Sequence, residues 1–254
     1  MDMIYTRLLN ISAIVLVFVF APAFVRAAPG DMDGDGLLDR YELMIGSNPE
    51  LKDSDGDKWP DRGEVFAGYD PSDATGAKLE ESLLKRDTDN DGLADYLEAN
   101  INTDYQNEDS DGDGYADGVE IAHGFSPLDP GPKHYGKRIE VSKDRQTLSY
   151  FVGPHHINSF LVSTGLWGTD TPEGEFEVEK KIDSHLYQGS DYYYPNTKYN
   201  LRFKFHERGS YYIHGAYWHN NFGKRMSHGC VNVSYRDMEH LYAWADMSTP
   251  VSIH

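Results

Sequence analysis

A twelve-residue loop of alternating aspartates occurs four times in register, starting at Asp31, Asp53, Asp87 and Asp109, and nothing else limits the fold of the chain so tightly. Positions 1, 3 and 5 read Asp31, Asp33, Asp35; Asp53, Asp55, Asp57; Asp87, Asp89, Asp91; and Asp109, Asp111, Asp113. Each loop continues to an Asp at position 9 (Asp39, Asp61, Asp95, Asp117) and a Glu at position 12 (Glu42, Glu64, Glu98, Glu120). A hard cation takes roughly six to eight oxygens, and alternate residues of a tight loop converge their carboxylates on one point. The carbonyl of position 7 (Leu37, Trp59, Leu93, Tyr115) adds a neutral oxygen and the closing Glu can bind through two. The pattern therefore predicts four Ca²⁺ loops.

A second regularity supports this. The residue fifteen after each first Asp is Gly46, Gly68, Asn102 or Gly124, types that tolerate a left-handed helix end. Each unit then reads as a loop, a short helix such as residues 41–45, and a capped stop, followed in three units by Pro49, Pro71 or Pro127. First-Asp positions step by 22, 34 and 22, so two pairs of units flank an insert, residues 73–86, whose Leu79, Leu83 and Leu84 predict a further helical turn or two. The second loop carries Lys58 at the turn-glycine position and Pro60 at position 8, which predicts the weakest affinity.

Charge follows the same division. Residues 31–130 hold 28 acidic and 7 basic side chains, a net of −21, whereas residues 131–254 hold 13 and 14, a net of +1. Four Ca²⁺ would bring the first stretch to about −13, so without calcium it is expected to be disordered. A metal-free acidic spacer is the alternative, weakened by the fourfold repetition. The stretch resembles the bacterial thrombospondin type 3 repeats, which implies a calcium-stiffened spacer of exported proteins with no catalysis of its own. With a whole-chain charge of −19, no nucleic-acid partner is expected.

Residues 1–27 read as an export signal: Arg7, an apolar run over residues 8–20, Pro22, and a small-residue exit ending at Ala27. An uncleaved membrane anchor is the alternative, since residues 8–25 approach the roughly 20 needed to span a bilayer. Either way the chain is expected in the bacterial periplasm, the cell wall or outside.

Residues 131–136 lie in a Pro- and Gly-rich break, after which the apolar period changes to two. Ile139 and Val141 against Leu148 and Tyr150 predict a hairpin about residues 142–146, and strands follow at 157–163, 174–180 and 201–205. A helix begins at the cap Ser234 and carries Met238, Leu241, Tyr242 and Ala245, with Val251 and Ile253 as a closing strand. The tyrosine-rich residues 187–199, interrupted by Gly, Asp and Pro, read as a loop or lid over a site. The fold class is thus multidomain: a mainly antiparallel β domain at 137–254, a β-sandwich with short helices, behind an extended array of calcium loops.

The only cysteine, Cys230, has no partner for a disulfide in its own chain, so it is either inert packing or reactive. His214 ends the alternating run at 211–214, and a Gly-, Asn- and aromatic-rich loop separates the two. A thiol, an imidazole at a strand end and flexible backbone between them are the parts of a cysteine acyl-transfer site. Zinc held by Cys230, His228 and His214 is the competing chemistry, although the usual paired-ligand spacing is missing.

His214-Gly215-Ala216-Tyr217-Trp218, then Ser227-His228-Gly229-Cys230-Val231-Asn232, preceded by Ser163-Thr164-Gly165 and Thr171-Pro172-Glu173-Gly174, resemble the signature of the L,D-transpeptidase (YkuD-like) catalytic domain. The resemblance implies peptidoglycan chemistry with no catalytic cofactor, Ca²⁺ being structural only. It makes Cys230 the nucleophile and His214 the base and later acid, oriented by the backbone carbonyl of Gly215. Backbone N–H groups at Gly229 and Cys230 would hold an oxyanion, Ser227 and His228 would shape the site with His228 as runner-up base, and Tyr217, Trp218 and Asn232 would meet substrate. Donor and acceptor stem peptides are the implied partners and a 3→3 cross-link the implied product; water as acceptor would give an L,D-carboxypeptidase. The rival readings are a calcium-dependent wall-binding or spacer protein and a cysteine or zinc hydrolase.

Overall fold

The structure, a computed structural model, describes residues 30–190, 192–206 and 209–254. The expected export signal, residues 1–27, lies outside the described residues. Among the described residues no helix is long and apolar enough to cross a membrane.

The repeats form as the loop arithmetic requires. Helices α1 (Asp39–Ile45), α2 (Asp61–Ala67), α4 (Asp95–Ile101) and α5 (Asp117–His123) each start at loop position 9, and the insert supplies α3 (Glu81–Leu84). The four expected stops sit in the left-handed region, at φ 93° for Gly46, 73° for Gly68, 64° for Asn102 and 81° for Gly124. Pro60 does not disturb its unit. It occupies the residue before α2 at φ −67° and ψ 144°, and the equivalent Leu38, Ala94 and Ala116 take φ −78° to −72° with the same ψ. The proline ring favours that φ. Lys58 is the strained member, at φ 85° where the other loops place glycine.

Loop position 9 is engaged within its own loop. Asp61, Asp95 and Asp117 each accept from the backbone N–H and the hydroxyl of loop position 2 (Ser54, Thr88, Ser110) at 2.6–2.8 Å, and Asp39 accepts from Met32 N at 2.8 Å. These aspartates close the loop onto the helix start. Position 5 of the first loop in each pair reaches further: Asp35 accepts from Arg62 N at 3.0 Å and Asp91 from Gly118 N at 2.8 Å. Each 22-residue step is thereby tied into a two-loop unit.

The β domain has two sheets, β3-β2-β1-β9-β4 and β5-β6-β7-β8. Their strands are β1 (Lys137–Ser142), β2 (Thr147–Val152), β3 (His155–Leu161), β4 (Gly174–Glu177), β5 (Lys180–Gln188), β6 (Tyr193–Lys204), β7 (Tyr211–Gly215), β8 (Val231–Val233) and β9 (Pro250–Ile253). Pairing is antiparallel except β1 with β9 and β7 with β8. Helix α6 (Tyr235–Trp244) is capped by Ser234, which accepts from Asp237 N, and buries Met238 and Leu241 in the core. Two expectations change. Residues 174–180 divide between β4 and β5, which belong to different sheets. The tyrosine-rich stretch is the β5–β6 hairpin, with Leu186 unpaired opposite Pro195 and Asn196 between the His185↔Thr197 and Tyr187↔Tyr194 pairs. At such a bulge a proline forfeits no ladder hydrogen bond, and Asn196 supplies the positive φ of 55°.

The repeats pack onto the β domain instead of standing off from it. Leu79, Leu84, Leu93, Tyr96, Leu97, Ile101 and Ile121 share one buried cluster with Ile139, Tyr150, Ile157, Leu241 and Val251. Helix α4 lies on β3, where Asn100 Nδ2 donates to Ile157 O at 2.9 Å. Phe66 of α2 stacks on His156 at 4.8 Å, whose other face meets Phe151 at 4.6 Å, and Ser126 Oγ pairs with His155 Nε2 at 2.7 Å. The module and the domain therefore share apolar burial, the dominant favourable term in folding. Leu97→Ala should cost about 2–5 kcal/mol, and urea unfolding followed by hydrogen exchange should show α4 and β3 losing protection together; separate transitions would contradict the shared core.

Candidate active site

The parallel pairing of β7 with β8 is what brings the site together. Its register sets Ile213 against Val231 and His214 against Asn232, so Cys230, one residue ahead of β8, is level with Tyr212. Residues two apart on a strand share a face. His214 therefore projects on the side of Tyr212 and Cys230, and all three line one cleft of about 600 Å³. The other walls come from the β5–β6 hairpin through Tyr187, Tyr192 and Tyr194.

The cysteine segment is clamped by the two upstream motifs. Ser163 and Asn232 exchange backbone hydrogen bonds at 2.9 Å, and Thr164 O accepts from Met226 N and Ser227 N. Thr171 Oγ1 accepts from Gly165 N at 2.9 Å and donates to Cys230 O at 3.4 Å. Ser227 Oγ donates to Cys230 O at 2.5 Å and accepts from Gly229 N at 3.1 Å. Gly229 turns at φ 115°, and a Cβ there would come within 2.8 Å of Tyr211. The Gly229 N–H is thus engaged by Ser227, which leaves Cys230 N–H as the remaining member of the expected oxyanion pair.

His214 is buried, and its Nδ1 lies 2.9 Å from Gly215 O. A carbonyl can only accept, so the proton sits on Nδ1 and Nε2 keeps a lone pair. Tyr187 stacks on one side of the ring at 4.4 Å, and Trp218 approaches at 5.8 Å. Burial, with smaller contributions from His185 and His219 against the Gly215 hydrogen bond, lowers the imidazole to a pKa of about 4. Burial raises the Cys230 thiol to about 11, against the Tyr212 backbone N–H. Both groups are neutral at pH 7. The aromatic walls make a thiolate–imidazolium pair costly in the cleft.

The other expected site residues divide. Trp218 lines the cleft and lies flat on Tyr194 at 3.8 Å. Asn232 lines it too, but its Nδ2 is 3.0 Å from His219 Nε2, so His219 anchors the site from behind. Tyr217 faces outward, its hydroxyl donating to Pro195 O at 3.0 Å, and is not part of the wall. His228 is exposed on the rim with its ring against Tyr192 at 4.7 Å. The tyrosine-rich stretch expected over the site supplies Tyr187, Tyr192 and Tyr194 to the wall, as strand residues of a hairpin and without individual roles assigned from the sequence, whereas sequence reasoning did not single out His219.

The repeats hold a second set of functional groups. Within each of the four Asp triplets at positions 1, 3 and 5, ligand oxygens lie within 4.8 Å of one another, and these are the groups of three or more such ligands found among the described residues. One carboxylate oxygen of each position-3 aspartate (Asp33, Asp55, Asp89, Asp111) is buried without a hydrogen-bond partner. The same holds for Glu64, Glu98 and Glu120, and for both oxygens of Glu42. Burial followed by neighbouring aspartates raises the closing glutamates to about 8 for Glu42, 7 for Glu64, 9 for Glu98 and 8 for Glu120. All-oxygen donors converging with buried, unpartnered carboxylates fit Ca²⁺.

Residues 136–253 match the family model of the L,D-transpeptidase catalytic domain, YkuD, and residues 31–49, 87–104 and 109–130 match the bacterial TSP3 repeat. The chain is similar to YkuD of Bacillus licheniformis, assigned to the L,D-transpeptidases, at 26% identity over 54% of this chain and 78% of that protein. It is also similar to YqjB of Bacillus subtilis, with the same assignment, at 28% identity over 50% of this chain and 76% of that protein. Among solved structures, an L,D-transpeptidase from Mycobacterium tuberculosis matches at 24% identity and TM-score 0.43, over 47% of this chain and 57% of that one. One from Enterococcus faecium matches at 24% and 0.43, over 52% and 54%. The chain thus spans a little over half the length of these solved structures.

The neutral state of the cysteine has a direct readout. The rate of Cys230 alkylation by iodoacetamide, followed by intact mass, should climb about tenfold per pH unit from pH 7 to 10, with no plateau near the ordinary thiol value of about 8.5. Levelling by pH 9 would show that the thiol is not raised.

Proposed function

The chain carries an L,D-transpeptidase catalytic domain over residues 136–253 behind bacterial TSP3 repeats, and on that premise we propose that it is an exported peptidoglycan acyltransferase that forms 3→3 cross-links through a Cys230 thioester. The observation that carries the reading is the His214 Nδ1 to Gly215 O bond in the wall that also holds Cys230, because it leaves Nε2 free to accept a proton.

The donor is a stem peptide whose third residue presents an L-centre carbonyl. Cys230 Sγ attacks that carbon while its proton passes to His214 Nε2, so the thiolate develops only as the S–C bond forms. This suits a pair that rests neutral. Cys230 N–H stabilises the oxyanion. Collapse breaks the amide bond, and Nε2–H protonates the departing D-alanine amine, leaving the thioester. The amine of a second stem attacks the thioester, gives its proton to Nε2, and the thiolate leaves to recover that proton. Trp218 and Tyr194 form an aromatic wall for the peptide, and Asn232, held by His219, offers it a polar edge.

Calcium belongs to the repeats and has no part in this chemistry. Positions 1, 3 and 5, the position-7 carbonyl and the closing Glu of each loop would hold the ion, with position 9 closing the loop as described. Cation binding supplies the charge that the buried glutamates otherwise lack. Because α2 and α4 rest on β3, ordering the loops also braces the catalytic domain.

Two measurements check these assignments. Intact-mass analysis with a carbapenem should show a covalent adduct on wild type and none on Cys230→Ser; the absence of an adduct under every condition would exclude the thioester route. Calorimetry should find four Ca²⁺, the second loop weakest, and Lys58→Gly should tighten that loop by about 1 kcal/mol, roughly fivefold in affinity, through relief of the positive φ. An unchanged second site would remove strain as the cause.

A further inference from the structure

We propose that Tyr187 and Asn200 are positioning residues for His214, through which the β5–β6 hairpin sets the plane of the imidazole and so keeps its Nδ1 on the Gly215 carbonyl. The proposal rests on the reading of His214 as the base. One hydrogen bond to the adjacent residue fixes Nδ1 but leaves the ring able to tilt about it, and a tilt would swing Nε2 away from the sulfur. A second restraint must act on the ring face.

Tyr187 supplies it. Its ring lies on the imidazole at 4.4 Å and 26° between planes, and Tyr212 and His185 meet Tyr187 edge-on at 5.6 Å and 4.8 Å, which holds the phenol from the sides. The far end is tied as well: Tyr187 Oη donates to Asn200 Oδ1 at 2.9 Å. Asn200 is fully buried, and both amide hydrogens are spent on the carbonyls of Ile182 and Thr197, each at 2.9 Å. Its oxygen is therefore the end turned to the phenol, and Tyr187 must be the donor. The backbone of Asn200 is paired with His214 in the β6–β7 register. Phenol stacking from β5 and backbone pairing from β6 thus fasten the same histidine, and both run through Asn200.

The arrangement is more than packing. Tyr187 is only partly buried and forms cleft wall, and it is the residue at which β5 resumes pairing after the bulge opposite Pro195 and Asn196. Burial and the neighbouring Cys230 push its phenol well above the ordinary tyrosine range, so the hydroxyl stays protonated and keeps Asn200 as its acceptor. A phenol held this way cannot compete with His214 for the thiol proton.

The test compares wild type with Tyr187→Phe, which keeps the stacked ring and loses the anchor, and Tyr187→Leu, which loses both. The first readout is ring nitrogen NMR of His214 on the full chain; the second is the pH profile of carbapenem acylation at Cys230. Tyr187→Phe should slow acylation about tenfold and Tyr187→Leu on the order of a hundredfold, the scale of a small misplacement of a reacting group. In Tyr187→Leu the His214 signals should also shift toward a mixture of tautomers, with titration moving up toward the ordinary histidine value. Melting temperatures separate these effects from misfolding, and Tyr187→Phe remains informative where Tyr187→Leu does not fold. Unchanged His214 signals and an unchanged pH profile in both variants would overturn the proposal. Failure of the underlying reading looks different: His214→Ala would then acylate at the wild-type rate, while the NMR response to Tyr187 substitution would still be scored.

Discussion

Everything in the catalytic half depends on a short parallel ladder. Three residues of β8 lie beside β7, and that contact converts a separation of sixteen residues between His214 and Cys230 into adjacency on one face. A parallel pair needs a crossover connection, here the segment from Ala216 to Cys230. That segment carries Trp218 to the cleft, His219 behind Asn232, and the turn at Ser227–Gly229 that presents the thiol. The motifs at residues 163–165 and 171–174 hold it through hydrogen bonds with Ser163, Thr164 and Thr171. Their role is to hold the backbone of the nucleophile, which explains why residues remote in sequence belong to one site.

Burial is what gives this pair its chemical character. A thiol and an imidazole in water would favour some thiolate near neutrality, but aromatic walls disfavour both charged forms and separate the two pKa values in the direction of neutrality. In the mechanism proposed above, the thiolate is then generated only when a substrate carbonyl is within reach. A neutral thiol is also less open to oxidation and adventitious alkylation, since these reactions act on the thiolate.

Much of this was legible in the residue pattern, and the parts that were not share a cause. The loop period, its left-handed stops and the cap of α6 are local rules, and local rules can be read from spacing. That Cys230 and His214 share a site was expected from the resemblance of residues 214–218 and 227–232 to the L,D-transpeptidase signature, and both line one cleft. Spacing alone does not show that the position-9 carboxylate also closes the loop, because its hydrogen bonds to position 2 depend on how the loop folds back on the helix start. The β5–β6 hairpin was read as a lid because Pro and Gly weigh against strands, while the bulge that admits Pro195 is a property of the pairing partner. The docking of the repeats was hidden for the same reason: Tyr96, Leu97 and Ile101 mark an apolar helix face without saying what covers it.

That docking changes what the acidic half is for. A spacer would need only to be long and stiff, and its apolar residues would close on themselves, as Leu37, Tyr41, Ile45, Val65 and Ala99 do. The second pair of loops behaves otherwise: Leu93, Tyr96, Leu97, Ile101 and Ile121 continue the core of the β domain, with Leu79 and Leu84 of the insert filling the seam. The insert that breaks the 22-residue period therefore lies where module meets domain. Carboxylates that repel one another without a cation sit one helical turn from residues that the catalytic core needs for its own burial, as Glu98 does beside Leu97 and Ile101. Charge neutralisation in the loops and apolar packing under β3 are consequently parts of one folding equilibrium, and a change in either is felt in the sheet that supports the site.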